Sequence, residues 1–405
     1  MSSNEWKQFR LGDLIALNEK SINRTFDFDE IEYIDTSAVT QNNFEMLQIL
    51  KLSDAPSRAK RIVQNGDTII STVRPIQRHF GIIQDAKPNT IASTGFAVLT
   101  PKKIDADYLF YYLSQESITL YLNGIAETTT TTFPAFRPET LSDLEILIPE
   151  NPNTQKQIAN ILSQLDSKIK LNRQTNETLE KLVNTLFQEM CVSKSVDLQD
   201  GWKLLKLEEF IELKNGYAFK GIDFIEEGVP VIKIKNVKAG KVILNQLSYV
   251  SREVADKTQR FRIKQNDLLI TMSGNRIDGT PETWVGKVGI FHRDEEYLLN
   301  QRVSILKIID DEQMSKYFLS QLLSSEEYQY YFISNATSSG GQANISPDLI
   351  YNTEIIVPPI EQLKMFNKLA NDIYNKIFAN ELEVETLINL RNSLLPKLMK
   401  GEIKI

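Results

Sequence analysis

The chain has 405 residues, 41% of them hydrophobic and 24% charged, which is enough for two or three domains with ordinary cores. No run of about 18 apolar residues is present, and the start, MSSNEWKQF, is too polar for a secretory signal, so a cytoplasmic protein is expected. The net charge of −7 argues against a free-standing electrostatic binder of nucleic acid. One cysteine, Cys191, permits no internal disulfide and no multi-thiolate metal site, and it reads as a small apolar residue near a helix end.

Taken in chain order, the sequence repeats itself. WKQFRLGDLIAL at 6–17 matches WKLLKLEEFIEL at 202–213, pairing Trp6 with Trp202, Leu11 with Leu207 and Ile15 with Ile211. NGDTIIST at 65–72 matches QNDLLITM at 265–272, and RPETLSDLEILIP at 137–149 matches SPDLIYNTEIIVP at 346–358. The strand-like runs 68–73 and 268–272 lead to further strands at Gly81 and Gly289. The connections between them differ: RPIQRHF at 74–80 in the first half, and the longer SGNRIDGTPETWVGKV at 273–288 in the second. A matched scaffold with unmatched loops is how binding specificity is varied on one fold, although loops also tolerate length changes at little cost.

Each half ends in a helical pattern. Ile158, Leu162, Leu165, Ile169, Asn172, Asn176, Leu179, Val183, Leu186 and Met190 alternate spacings of four and three, which is a heptad seam. Phe366, Ala370, Ile373, Ile377, Asn380, Val384, Leu387, Arg391, Leu394 and Leu398 repeat it 208 residues later, with Asn172 landing on Asn380. Thr154 with Gln157 forms a capping-box pattern and Pro359 suits a first helical turn. Pro396 is expected to kink or end the second helix, with Gly401 as a stop. Each helix would expose a wide apolar stripe alone, so each needs a partner. The simplest partner is the other helix, paired antiparallel about a pseudo-twofold axis, with a coiled coil to another chain as the alternative. Asn172 and Asn380 are expected to meet near the middle of the pair and fix its register.

These elements give an α+β fold: two β-rich domains, 1–151 and 193–358, followed by long helices at 152–192 and 359–405. Catalytic signatures are absent. The two histidines, His79 and His292, lie in different halves and read as polar loop or strand-edge residues. There is no Walker loop and no strand–GxGxxG–helix fingerprint. NPNT at 151–154 and VPPI at 357–360 do not match the Asn- or Asp-Pro-Pro-aromatic loop of adenine methyltransferases, and Pro347-Asp348 lacks the Glu-x-Lys of a nuclease motif.

The whole chain resembles the specificity subunit of type I restriction–modification enzymes. The resemblance rests on the paired WKxxxL starts and on two helix motifs: NTQKQIANILSQLDSKIKLN (153–172) with NETLEKLVNTLFQEM (176–190), and LRNSLLPKLMKGEI (390–403). NGYAFK (215–220) and SSGGQANIS (338–346) are similar to segments of the family's recognition domains. The first half departs from the pattern, with no NGYAFK and with TTTTT (128–132) in place of the glycine-bearing loop.

The resemblance implies a non-catalytic subunit whose two recognition domains each read one half of a split, asymmetric duplex target. The helical pair would set the gap between half-sites, as dimer geometry does in other DNA-binding proteins. It also implies two adenine methyltransferase subunits and ATP-dependent motor-nuclease subunits as partners. S-adenosylmethionine, ATP and Mg would belong to them, with no cofactor on this chain. The acidic charge fits if partners supply much of the phosphate contact. It also favours a rival reading, a tandem-domain protein-interaction scaffold with no role on DNA.

Major-groove reading needs Arg for guanine and Asn or Gln for adenine. In the first half the candidates are Arg74, Gln77, Arg78 and Arg137, with Thr130 and Thr131 for phosphate or thymine methyl. In the second half they are Asn275, Arg276 and Lys287, then Ser339, Gln342 and Asn344, with Gly340 and Gly341 letting backbone approach a phosphate. Tyr217, Phe219 and Lys220 are candidates for the sugar–phosphate edge. Basic clusters at Lys51, Arg58, Lys60, Arg61, at Lys233, Lys235, Lys238, Lys241 and at Lys257, Arg260, Arg262, Lys264 are further candidates for phosphate contact, or else solvated faces.

Overall fold

The computed structural model describes residues 6–129, 133–192, 201–276, 280, 283–339, 341–403 and 405; the side chains of Thr129 and Ser339 are outside the description. Thr130, Thr131 and Gly340 lie outside the described residues. Two compact units divide the chain: residues 1–172 with 382–405, and residues 173–381. Each unit therefore holds one β-rich region together with half of each long helix.

In the first unit, strands Ile15–Leu17, Phe96–Pro101, Thr68–Ser71 and Phe80–Ile82 form an antiparallel sheet in that order. A second sheet runs Gln48–Lys51, Glu30–Ile34, Thr90–Ser93, Ala59–Ile62, with one parallel pair at its centre. Trp6–Arg10 pairs with Glu145–Pro149, closing the region's two ends on each other. The second unit repeats this plan. Ile211–Asn215, Val303–Ile308, Leu268–Thr271 and Val288–Ile290 take the same order, and Lys203–Lys206 pairs with Glu354–Val357. The sheet order thus bears out the repeat read from the sequence.

The matched segment NGD/QND shows why the duplication persists. Thr68–Ser71 and Leu268–Thr271 are buried along their whole length, as β-rich apolar runs bounded by turns should be. Each is entered by a turn in which an aspartate accepts from the amide three residues back: Gln64 N to Asp67 Oδ2 at 2.9 Å, Lys264 N to Asp267 Oδ2 at 2.7 Å. Burial raises both carboxyls above their ordinary range, opposed by these hydrogen bonds.

The central helix, Pro152–Cys191, and the distal helix, Ile360–Met399, each have 40 residues, about 60 Å at 1.5 Å per residue. The seam is buried where the heptads place it: Ile158, Leu162 and Ile169 in the first unit, Val183, Phe366, Ala370 and Ile377 in the second. Within each unit the helices run in opposite senses. Asp166 meets Arg391 and Asn172 meets Glu383 in the first, while Asn176 meets Asn380 and Phe187 meets Phe366 in the second.

Three expectations are corrected. The central helix starts at Pro152 with Asn151 Oδ1 accepting from Asn153 N at 2.9 Å, so Thr154 is not its cap but a buried residue inside the first turn. Pro396 does not end the distal helix, which runs on to Met399; the stop is at Gly401, as expected, with φ +70°. Asn380 donates to Asn176 Oδ1 at 2.8 Å, and Asn176 donates to Ile377 O at 3.0 Å. Asn172, for its part, donates to Glu383 Oε2 at 2.9 Å. The seam holds two central-helix asparagines, and the observed register brings the second of them to Asn380.

Candidate nucleic-acid interface

In the second unit the two unmatched segments form one small structure. Ser273–Gly274 pairs with Gln342–Asn344, which pairs in turn with Thr337–Ser339, so the connection after Leu268–Thr271 and the glycine-bearing loop share a three-stranded ribbon. Asn275, Arg276, Gly341 and Gln342 are exposed on it. Arg276 Nη2 donates to Ala336 O at 3.1 Å, and Asn275 Nδ2 to Thr283 Oγ1 at 3.0 Å. These residues are close in space because of the ribbon, although some 65 residues separate the segments.

The first unit makes the same junction more simply. Val73 bridges Ala135, Arg74 N donates to Pro134 O at 2.8 Å, and Phe136 N donates to Thr72 O at 3.0 Å. The counterpart of that last bond in the second unit is Ile345 N to Met272 O at 3.1 Å. Arg74 and Arg78 sit at the two ends of the turn Pro75–Gln77, both in the left-handed region at φ +48° and +58°. Such backbone costs energy for non-glycine residues and is concentrated at functional loops. The turn leaves Arg74, Ile76 and Gln77 exposed, with Arg137 exposed one residue beyond buried Phe136. Arg74 Cζ lies 5.3 Å from the Phe133 ring centre.

Several candidates pack or hydrogen-bond within the scaffold. Lys287 is 6% exposed, with Nζ 5.5 Å from the Trp284 ring centre, because it immediately precedes the buried strand Val288–Ile290. Phe219 is 8% exposed and packs with Tyr217 and Phe224 around Val229, Val231 and Val250, so it is a core residue of the second unit. Tyr217 is half-buried beside it, and Lys220 is exposed with its amide donating to Asp223. Arg78 is half-buried, donates to Ser114 O at 2.9 Å, and is held below the usual guanidinium range by burial. Asn344 uses its side chain internally, accepting from Ser273 Oγ at 2.6 Å and donating to Gln342 O at 3.3 Å. Among the basic clusters, Arg58 pairs with Asp35, Lys241 with Glu180 and Lys257 with Glu253.

The sequence reading passed over Arg302. This exposed residue lies in the turn before Val303–Ile308, and its Nη1 donates to Asn344 Oδ1 at 3.3 Å. Nothing in loop length marks that turn, so the sequence gives no signal for it.

Groups of three or more metal-ligating side chains are absent among the described residues. His79 Nδ1 stands 2.7 Å from Val39 O, and His292 stacks on Phe378 at 4.6 Å with Nε2 2.7 Å from Glu381. Cys191 is buried at the end of the central helix, and burial pushes its thiol up to about 12. No helix among the described residues is long and apolar enough to cross a membrane.

Residues 3–181 and 199–387 each match the family model of the type I restriction modification DNA specificity domain. The chain belongs to this family. The type I restriction enzyme HindI specificity subunit of Haemophilus influenzae is 26% identical over 476 aligned residues, covering 99% of this chain and all of that protein. The MjaIX specificity subunit of Methanocaldococcus jannaschii is 25% identical over 374, covering 85% of this chain and 79% of that protein. The crystal structure of a type I restriction–modification S subunit from M. genitalium superposes with a TM-score of 0.59 at 16% identity, over 98% of this chain and 97% of that one, which is a likeness of fold. Two DNA specificity domains thus account for the internal repeat, and each contributes one of the loop clusters described above.

Proposed function

We propose that the chain is the non-catalytic DNA-reading subunit of a type I restriction–modification complex. Each unit reads one half of a split, asymmetric duplex target, and the long helices set the gap between the halves. Two adenine methyltransferase subunits and ATP-dependent motor-nuclease subunits assemble on it in the cytoplasm. S-adenosylmethionine, ATP and Mg are bound by those partners and not by this chain.

The observation that carries this reading is the meeting of unmatched segments in both units. Where the repeats differ most, exposed Arg, Asn and Gln side chains collect at one end of an otherwise matched scaffold. Those side chains have the forked donors and acceptors that distinguish bases in the major groove. Family membership supplies the DNA. The net charge of −7 favours the alternative, a protein-interaction scaffold, unless partners share the phosphate contacts.

Binding of duplex DNA by the chain together with its methyltransferase partner, measured between 50 and 200 mM salt, separates the two. The DNA-reading subunit loses on the order of a hundredfold or more in affinity over that range. A well-folded complex that ignores duplex DNA at both concentrations would leave the scaffold reading standing.

A further inference from the structure

We infer that Arg302 reads a guanine in the half-site of the second unit, and that Asn344 and the segment Asn215–Lys220 are the devices that hold it there. The inference rests on the DNA-reading function proposed above and names the base class that one of its sites takes.

Arg302 stands on a turn fixed at every side. Val303 N donates to Asn300 O at 2.9 Å, closing the turn, and Met272 N donates to Arg302 O at 2.8 Å, tying it to the end of Leu268–Thr271. The NGYAFK segment braces it from outside. Tyr217 N donates to Leu299 O at 2.8 Å, Gln301 N donates to Tyr217 O at 2.8 Å, and Ser304 Oγ donates to Asn215 Oδ1 at 2.7 Å. Gly216 is needed for this approach, since a Cβ there would lie 2.3 Å from Asn300 O. The motif that looked like a DNA contact therefore positions the turn that carries Arg302.

The guanidinium is aimed from the other side. Asn344 Oδ1 accepts from Arg302 Nη1 and from Ser273 Oγ, while Asn344 pairs through its backbone with both Ser273 and Thr337. An exposed arginine held this way loses less freedom on binding than a loose one. It spends one N–H on Asn344 and keeps others for an acceptor pair. Guanine O6 and N7 are the acceptor pair in the major groove that a guanidinium fork matches. The exposed neighbours on the ribbon, Asn275, Arg276 and Gln342, place this arginine within the unmatched cluster and not at a remote surface.

The first unit offers the control. At the same junction Thr72 N donates to Gly95 O at 2.8 Å, so a glycine stands where the second unit has Arg302. That unit also lacks an NGYAFK segment. Brace and arginine are present together or missing together, which is expected if one exists for the other.

The test is to map methylated adenines for the complex carrying the wild-type chain, Arg302→Ala, Arg302→Lys or Asn344→Ala, and to measure binding of 7-deazaguanine duplexes. The wild type should require guanine at one position that becomes undefined in Arg302→Ala, with discrimination there falling about ten- to a hundredfold. Arg302→Lys keeps the charge and loses the fork, so it should relax the same position. Asn344→Ala should relax it too, and the double variant should be no worse than Arg302→Ala; uniform weakening across the target would make Asn344 merely structural. Replacing guanine by 7-deazaguanine at that position should weaken the wild type about tenfold and leave Arg302→Ala unchanged. An unaltered motif in Arg302→Ala, or equal weakening on all sequences, overturns the inference while the split motif itself survives. Absence of any split motif in the wild type overturns the DNA-reading function beneath it.

Discussion

The two units fill matching positions of the long helices with different chemistry. In the first, Asp166 accepts from Tyr111 Oη at 2.7 Å and from Arg391 Nη1 at 2.6 Å, tying the β-rich region to both helices through one carboxylate. In the second, the residue 208 positions later is Tyr374, which stacks on Tyr317 at 4.9 Å and accepts from Gln321 Nε2 at 2.9 Å. The counterpart of Arg391 there is Val183, fully buried. One backbone plan thus docks onto its helices through a half-buried ionic set in one copy and an aromatic stack in the other. Duplication preserves where a helix must be gripped and leaves the means free, provided every polar atom taken from water finds a partner.

Substitutions should expose that difference, and the largest effect is expected in the aromatic copy. Phe187, 1% exposed and packed against Phe318 and Phe366, should cost about 3–5 kcal/mol when cut to alanine. The cost should appear as faster hydrogen exchange in residues 201–381, with the first unit little changed. Loss of protection spread equally over both units would mean that the grip is not local.

In the ionic copy, Asp166→Ala removes the acceptor of Tyr111 and the anionic partner of Arg391, which keeps Asn392 Oδ1. Both charged side chains are about a quarter exposed (24% and 25%), so about 2–3 kcal/mol is expected, below the cost of breaking a fully buried pair. Arg391→Ala should cost a similar amount and the double variant less than the sum, measured by urea unfolding as a double-mutant cycle. Strict additivity would show that the pair is not coupled.

At the loop clusters proposed to face DNA the comparison becomes one of specificity. Arg74→Ala should relax one position in the half-site of the first unit by about 1–3 kcal/mol and leave the other half intact. Equal weakening on every sequence would make Arg74 a phosphate contact.

The smallest effect concerns the buried asparagines. Asn176 and Asn380 are 8% and 1% exposed, and replacing both by leucine should raise stability by about 1 kcal/mol while loosening the register they specify. Thermal unfolding and light scattering would show a higher Tm with some self-association; a lower Tm would mean that the asparagines stabilise the pair outright.

Much of this was legible in the residues. The repeat, the span of both helices and the location of the unmatched loops follow from periodicities of two and 3.6 and from turn residues, all local in sequence. What was not legible depended on distance in space. The partner of Asn380 is set by the register in which the helices pack, which no heptad pattern reveals. Phe219 and Lys287 carry side chains suited to DNA, yet Phe219 packs into the core around Val229, Val231 and Val250, and Lys287 is buried beside Trp284. Arg302 sits in a turn that no difference in loop length marks, and its role emerges only when the turn at 300–302 is seen between the NGYAFK segment and Asn344. Loop length marked where the scaffold varies but not which side chain the scaffold aims.

The most direct test is to co-express the chain with its methyltransferase partner in a methylation-free host and map modified adenines across the genome. The account predicts one split motif, two short defined halves around a fixed gap, with Arg74→Ala altering one half and Arg302→Ala the other. A co-purifying, well-folded complex that adds no methylation, or that modifies a single continuous motif untouched by either substitution, would contradict it.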